Sequence, residues 1–220
     1  LPSLKNKVLK FFFDILFPAF CVGCKKEGRF LCPSCRQKIV VKRVPEYPPQ
    51  KTGVKTLFAA TDYHAKLISD LIARYKYGFA DELHADLADL LIEHARRAQF
   101  QKRDDHIIAA VPLHRRRLHW RGFNQADLLA RRVAGHFAIP YRPGALARIK
   151  NTAPQIEMTD RKDRLENIKG AFACVDKSAV RNKTVILVDD VSTTGATLAE
   201  CAWALKQAGA RSVIGFVVAK

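Results

Sequence analysis

Two adjacent carboxylates and four hydroxyls fall between Asp189 and Thr197, inside the stretch VILVDDVSTTGATL. The aliphatic run before Asp189 reads as a buried strand and the residues after Gly195 as a helix, so the polar groups occupy a strand-to-helix turn. The N–H groups of Thr194, Gly195, Ala196 and Thr197 would point out of the helix N-terminus, where the dipole favours an anion. Gly195 lets the backbone approach closely, and the hydroxyls of Thr193, Thr194 and Thr197 add donors, which describes a phosphate cradle. Two carboxylates beside a phosphate would repel it unless they address a neutral diol or a metal. A sugar phosphate satisfies both halves, with its phosphate in the turn and its 2′ and 3′ hydroxyls on Asp189 and Asp190. The alternative is an ordinary hydroxyl-capped helix, but a cap needs one hydroxyl and no acid pair. No Gly-Lys-Ser/Thr and no Gly-x-Gly occurs, so ATP hydrolysis and dinucleotide chemistry are disfavoured.

The second chemical cluster is CVGCKKEGRFLCPSC, with Cys21, Cys24, Cys32 and Cys35 in two C-x-x-C turns. Such turns can aim four thiolates at one tetrahedral ion, most often Zn²⁺. Two disulfides or an iron–sulfur cluster would use the same residues, the first only in an oxidising compartment. A closed four-thiolate site is structural, because catalytic zinc keeps an open position. Cys174 and Cys201 stand alone in apolar patterns and read as buried small hydrophobes.

These residues need elements to hold them. The three prolines and the glycine of PEYPPQKTG, residues 45–53, read as a linker between an N-terminal module and a main domain. After it comes a strand near Val54–Ala60. Two amphipathic helices follow, with Leu67, Ile68, Leu71, Ile72 and Tyr75 on one apolar face and Leu83, Leu87, Leu90 and Leu91 on the other. HIIAAVP reads as a strand, and FNQADLLARRVAGHF as a helix with Ala126, Leu129, Val133 and Phe137 inward. A strand lies near Ala145–Ile149, TVILVDD is the clearest strand, GATLAECAWALKQAG a helix and RSVIGFVVA a terminal strand. Alternating strands and helices imply an α/β domain with a parallel sheet covered on both faces. Residues 150–169 are polar and read as a mobile loop, and loops of that length are usually functional.

Charge adds a partner class. The chain of 220 residues has a net charge of +17, which points to an anionic partner, the blander reading being solubility. The excess sits in residues 1–55 and 111–150, two basic zones on otherwise balanced sequence. Arg115, Arg116, Arg117 and Arg121 interleave with His119, Trp120 and Phe123, a pattern able to pair phosphates and stack bases of single-stranded DNA. The same cluster could instead serve only a pyrophosphate. No run reaches the ~18–20 apolar residues of a membrane span. KVLKFFFDILFPAFC imitates a signal peptide, but Asp14 interrupts it and no small-residue cleavage site follows. It reads as an amphipathic helix packing on its own protein, with peripheral membrane or partner docking as the alternative.

The acid-hydroxyl stretch resembles the phosphoribosyl pyrophosphate (PRPP) signature of type I phosphoribosyltransferases. VPLHRRRLHWRGFNQA and QIEMTDRKDRLENIKGAF, together with the four-cysteine module, resemble the competence protein F (ComF) family, which includes the GntX proteins. The resemblance covers essentially the whole chain. It implies a type I phosphoribosyltransferase-like domain over residues 51–220, and an N-terminal helix with a zinc-ribbon-like module over residues 1–50. Asp189 and Asp190 would then be the catalytic acids holding the ribose hydroxyls. Ser192, Thr193, Thr194, Gly195, Ala196 and Thr197 would bind PRPP. Pro112, Leu113, His114 and Arg115 would form the pyrophosphate loop, and Arg161 and Arg164 would close over the site from a flexible loop. Mg²⁺ would accompany PRPP, and one structural Zn²⁺ would sit on the cysteines. The family also implies a cytoplasmic role in DNA uptake during natural transformation. Its partners there would be incoming single-stranded DNA and other competence proteins, a DNA-translocating ATPase among them. An active phosphoribosyltransferase with a small acceptor is the other function the same residues would support.

Overall fold

The computed structural model of the chain describes residues 18–77, 80, 82–150 and 168–220. The N-terminal apolar stretch up to residue 17 and residues 151–167, which carry most of the expected mobile loop with Arg161 and Arg164, lie outside the described residues.

The core is a four-stranded parallel sheet. Its strands are β1 (Thr56–Thr61), β2 (His106–Ala110), β5 (Thr184–Val191) and β6 (Ser212–Ala219), in the order β1-β6-β5-β2. Side chains alternate across the sheet with the period of two that strands impose. Phe58, Ile108, Ile186, Val188 and Phe216 enter one core, while Leu57, Ile107, Val185, Leu187 and Val217 enter the other. Both faces are covered, which is why these strands read as apolar runs rather than as alternating patterns.

The first face carries α2 (Lys66–Tyr77), α3 (Leu83–Arg97) and α5 (Gln125–Phe137). Leu83, Leu87, Leu90 and Leu91 of α3 are all buried, each contributing about 1.5–3 kcal/mol by leaving water. Asn124 caps α5 by accepting from the Ala126 N–H at 3.2 Å, and its amide donates to the Val111 carbonyl at 3.1 Å. It thereby ties the loop after β2 to the helix that follows. The opposite face carries α7 (Ala196–Gln207) and a two-stranded antiparallel ribbon of β3 (Leu146–Arg148) and β4 (Phe172–Cys174). The strand expected near Ala145–Ile149 therefore exists but belongs to this ribbon and not to the main sheet. Cys201 is fully buried as expected, whereas Cys174 is only half-buried at the ribbon's edge.

Two short helices complete the set. α4 (Arg115–Arg121) has no buried residue, and α6 (Lys177–Val180) is capped by Asp176, which accepts from the Ala179 N–H at 3.0 Å. The N-terminal module contains α1 (Pro33–Gln37), and Cys21, Leu31, Cys32, Cys35 and Val41 join the same core as α2 and α3. Residues 42–46 run along the free edge of β1, where Glu46 and Leu57 exchange two backbone hydrogen bonds at 2.8 Å. Arg29 pairs with Asp86 at 3.2 Å, and the Val41 carbonyl accepts from Arg97 at 3.1 Å. Module and sheet thus share one hydrophobic core.

Candidate functional site

Strand alternation decides what the two acids can do. Asp189 follows Val185 and Leu187 onto the face of α7 and the ribbon, while Asp190 follows Ile186 and Val188 onto the face of α2. They are neighbours in sequence but not twins in space. Asp190 is buried, and its Oδ1 lies 2.8 Å from Nζ of Lys76 at the end of α2. Burial alone would lower the Lys76 ammonium, but Asp190 beside it and Asp189 beyond hold it above its ordinary value. Asp189 Oδ1 accepts from the Asp190 N–H at 2.9 Å. Burial, then the charge of Asp190, pushes the Asp189 carboxyl up to about 8, against the pull of Lys76 and Arg148.

The turn beyond β5 is pinned by the Ser192 N–H, which donates to the Ala219 carbonyl at 3.0 Å at the end of β6. Gly195, at φ 79, occupies the left-handed region as N-cap of α7, which an L side chain there would resist. No side chain caps this helix, although the Thr194 hydroxyl accepts from the Ala196 N–H at 3.4 Å. Thr193 is exposed, and Thr194, Gly195 and Thr197 are half-buried around the same helix end. The residues expected to cradle a phosphate therefore lie on one turn at the N-terminus of α7.

Across from it, Pro112, Leu113 and His114 leave the end of β2 half-buried. His114 caps α4 by accepting from the Arg116 N–H at 3.3 Å, and Arg115 and Arg116 are exposed. Burial and four arginines, Arg148 first, hold the His114 imidazole below its ordinary value. Arg148 reaches this region from β3, its guanidinium 5.5 Å from the Phe172 ring centroid. Burial, then Arg117, lowers its pKa, and Asp189 opposes them. In α4's last turn, Trp120 is 59% exposed with its ring 6.2 Å from that of Tyr77. The Arg121 guanidinium lies 4.9 Å over the Tyr77 ring and donates to Gln125 Oε1 at 3.0 Å. Arg121 and Asn124 therefore have structural work at the start of α5.

Three site residues escaped the sequence reading: Lys76, Tyr77 and Arg148. Lys76 falls four residues after Ile72 and eight after Ile68, on the buried face of α2. A lysine in that helical register was the available signal. Tyr77 and Arg148 carried none, because each depends on how distant segments meet.

In the N-terminal module the four sulfurs of Cys21, Cys24, Cys32 and Cys35 all lie within 4.8 Å of one another. Cys24 Sγ and Cys32 Sγ are 3.5 Å apart, too far for a disulfide and suited to two thiolates on one ion. The Cys32 N–H donates to Cys21 Sγ at 3.4 Å. A Cβ at Gly23 would lie 2.8 Å from Cys35 Sγ, so only glycine fits the first turn. The donor set and its spacing fit a metal ion.

The phosphoribosyl transferase domain family matches residues 121–220, which contain β5, the acid pair and the turn. Over 201 residues the chain is 36% identical to competence protein F of Haemophilus influenzae, covering 90% of this chain and 82% of that protein. The chain belongs to the ComF family. The DNA utilization protein YhgH of Escherichia coli K12 is 34% identical over 88% of this chain and 85% of its own length. The competence protein ComFC of Streptococcus pneumoniae is 26% identical, covering 89% of this chain and 85% of that one. Within this ComF-family chain the phosphoribosyl transferase match begins in α4. Lys76 and the loop after β2 thus come from outside the matched residues but complete the same site.

Proposed function

We propose that the protein binds PRPP with Mg²⁺ at the ends of β2 and β5 and handles single-stranded DNA in the cytoplasm beside that site. The observation that carries the reading is the two-sided site itself. The Asp189 carboxyl, next to a hydroxyl-lined helix N-terminus, lies within electrostatic reach of Arg148, and Arg148 and Arg115 in turn act on His114. A 5′-phosphate suits the turn Thr193–Thr197, the ribose diol suits Asp189, and a pyrophosphate suits these basic residues. Lys76 holds Asp190 in place and offsets the acids' mutual repulsion. Mg²⁺ would neutralise pyrophosphate oxygens and help the leaving group depart, held mainly by the ligand's own oxygens. In a transfer, the bond from the anomeric carbon to pyrophosphate breaks as the acceptor's lone pair forms the new one. Those basic residues take the developing negative charge. The four-cysteine module would hold one structural Zn²⁺.

The DNA reading is supported by the exposed Trp120–Tyr77 pair beside exposed Arg115 and Arg116. A base can stack there while its neighbouring phosphates meet the arginines. The names of the relatives, DNA utilization and competence proteins, agree with that role. Binding of a labelled single-stranded oligonucleotide across a salt series, with and without PRPP, tests it. A steep salt dependence that PRPP alters supports one coupled site, and salt-independent binding refutes the phosphate contacts. The second reading, an active phosphoribosyltransferase with a small acceptor, is favoured by a cavity of about 380 Å³ against the phosphate turn.

A further inference from the structure

The outer face of α2 carries an arginine–aromatic pair that lies outside the site described above. Arg74, exposed and with no acid partner among the described residues, holds its guanidinium 5.1 Å over the ring of Phe30 in the N-terminal module. One turn on, Tyr77 is 47% exposed, with the Arg121 guanidinium 4.9 Å over its ring and the Trp120 ring 6.2 Å away. Positions three apart share one face of a helix, about 4.5 Å apart along its axis. Ile68, Leu71, Ile72 and Tyr75 fill the buried face of α2, which leaves Arg74 and Tyr77 together on the outside. Asp70, the acid one turn before Arg74, is already paired with Lys66 at 2.8 Å. Rings and cations therefore alternate along one exposed surface, from α4 across α2 to the module.

We propose that this surface is one track for single-stranded DNA, with Arg74 and Phe30 as its far step. The inference rests on the single-stranded DNA reading above and adds to it two residues and a direction. At the α4 end Trp120 and Tyr77 supply the rings, and exposed Arg115 and Arg116 supply the charges. At the module end Arg74 supplies both a charge for a phosphate and a plane for a base, with the Phe30 ring beneath it. An arginine already steadied by an aromatic ring loses less freedom when a phosphate arrives. Duplex DNA keeps its bases stacked inside and would use the charges alone, so the alternation of ring and cation selects an unpaired strand. The track was not legible in the sequence because its residues come from three distant segments.

The test is fluorescence anisotropy of the full chain with a labelled oligothymidylate of about 12 nucleotides, within the range of site sizes of single-strand binders. One strand should bind per chain. Arg74→Ala should weaken it about tenfold, the order expected for one charge-assisted contact. Arg74→Lys, which keeps the charge and loses the plane, should recover only part of that loss. Phe30→Leu, in a protein that still folds, should weaken binding about fivefold or more by removing the ring beneath the stack. Arg181→Ala removes an exposed cation beside Val180 of the opposite core and should change nothing. A duplex of the same length should compete far less well than the single strand. Unchanged affinity in Arg74→Ala, with Trp120→Ala still weakening the strand, overturns the track and leaves the DNA reading standing. Equal losses in Arg74→Ala and Arg181→Ala, or equal competition by duplex, reduce the effect to overall charge and also overturn the track. No binding by the wild-type chain overturns both.

Discussion

Lys76 Nζ lies 2.8 Å from Asp190 Oδ1, joining the end of α2 to the end of β5 beneath the candidate ligand site. The two side chains are 23% and 8% exposed. A pair so removed from water holds its geometry mainly because breaking it leaves a charge stranded.

Replacing Lys76 with Met should therefore destabilise the protein by about 3 kcal/mol, in the range found when one partner of a buried pair is lost. In a chain of this size each kcal/mol lowers Tm by about 2–4 °C. Adding Asp190→Asn to Lys76→Met should recover much of the loss, because the stranded charge is gone. Calorimetric melting of the two single variants and the double variant measures this. Additive losses would show that the pair is not coupled.

Asp189 gives a pH-dependent trade-off between stability and binding. Its carboxyl is raised from 3.8 to about 8 in the folded chain, so the folded state keeps a proton that the unfolded state has lost across that window. Stability from this group is thus full below the unfolded value and declines as pH rises towards 8. Asp189→Asn should raise Tm near pH 8 and leave it nearly unchanged near pH 4. Ligand binding should run the other way in the wild type. A ribose diol and Mg²⁺ favour the carboxylate, so affinity for PRPP should rise between pH 6 and 8 with release of a proton. Melting and calorimetry in buffers of differing ionisation enthalpy would check both signs.

Much of this was legible in the sequence, for identifiable reasons. β5 and the turn after it combine an apolar run, a glycine and clustered hydroxyls, all local signals. The four cysteines are likewise local. The pairing of Asp190 with Lys76 was not legible, because it needs the strand's alternation and the docking of α2 at once. α4 was missed because none of its residues is buried and it has no apolar stripe to betray it. β4, three residues long, is too short to show a period. Residues 45–53 read as a linker from their prolines, and nothing in those prolines foretold the cavity they wall.

The cysteine module should carry one Zn²⁺ per chain and lend stability to the sheet, since Cys21, Cys32 and Cys35 share its core. Gly23→Ala should lower zinc occupancy by pushing on Cys35 Sγ. Chelation should depress the single melting transition of the chain rather than release a separate small one. Elemental analysis and scanning calorimetry are the measurements. Iron in place of zinc, or two independent transitions, would contradict this.

Single-stranded DNA should separate electrostatics from stacking within one segment. Arg115→Ala with Arg116→Ala should shallow the salt slope by about 0.7 per lost phosphate contact. Trp120→Ala should keep the slope but cost about 1–3 kcal/mol of affinity if a base stacks there. Fluorescence anisotropy at several salt concentrations distinguishes them. Trp120 is mostly exposed, so its loss should leave Tm unchanged.

The central claim is that the ends of β2 and β5 form a PRPP site, and calorimetric titration of the full chain with PRPP and Mg²⁺ near pH 8 tests it most directly. One PRPP per chain should bind. Asp189→Asn, which keeps the Lys76–Asp190 pair intact, should weaken it by about 1.5–3 kcal/mol, roughly tenfold to a hundredfold. No heat of binding in the folded wild type, or an unchanged affinity in Asp189→Asn, would contradict the account.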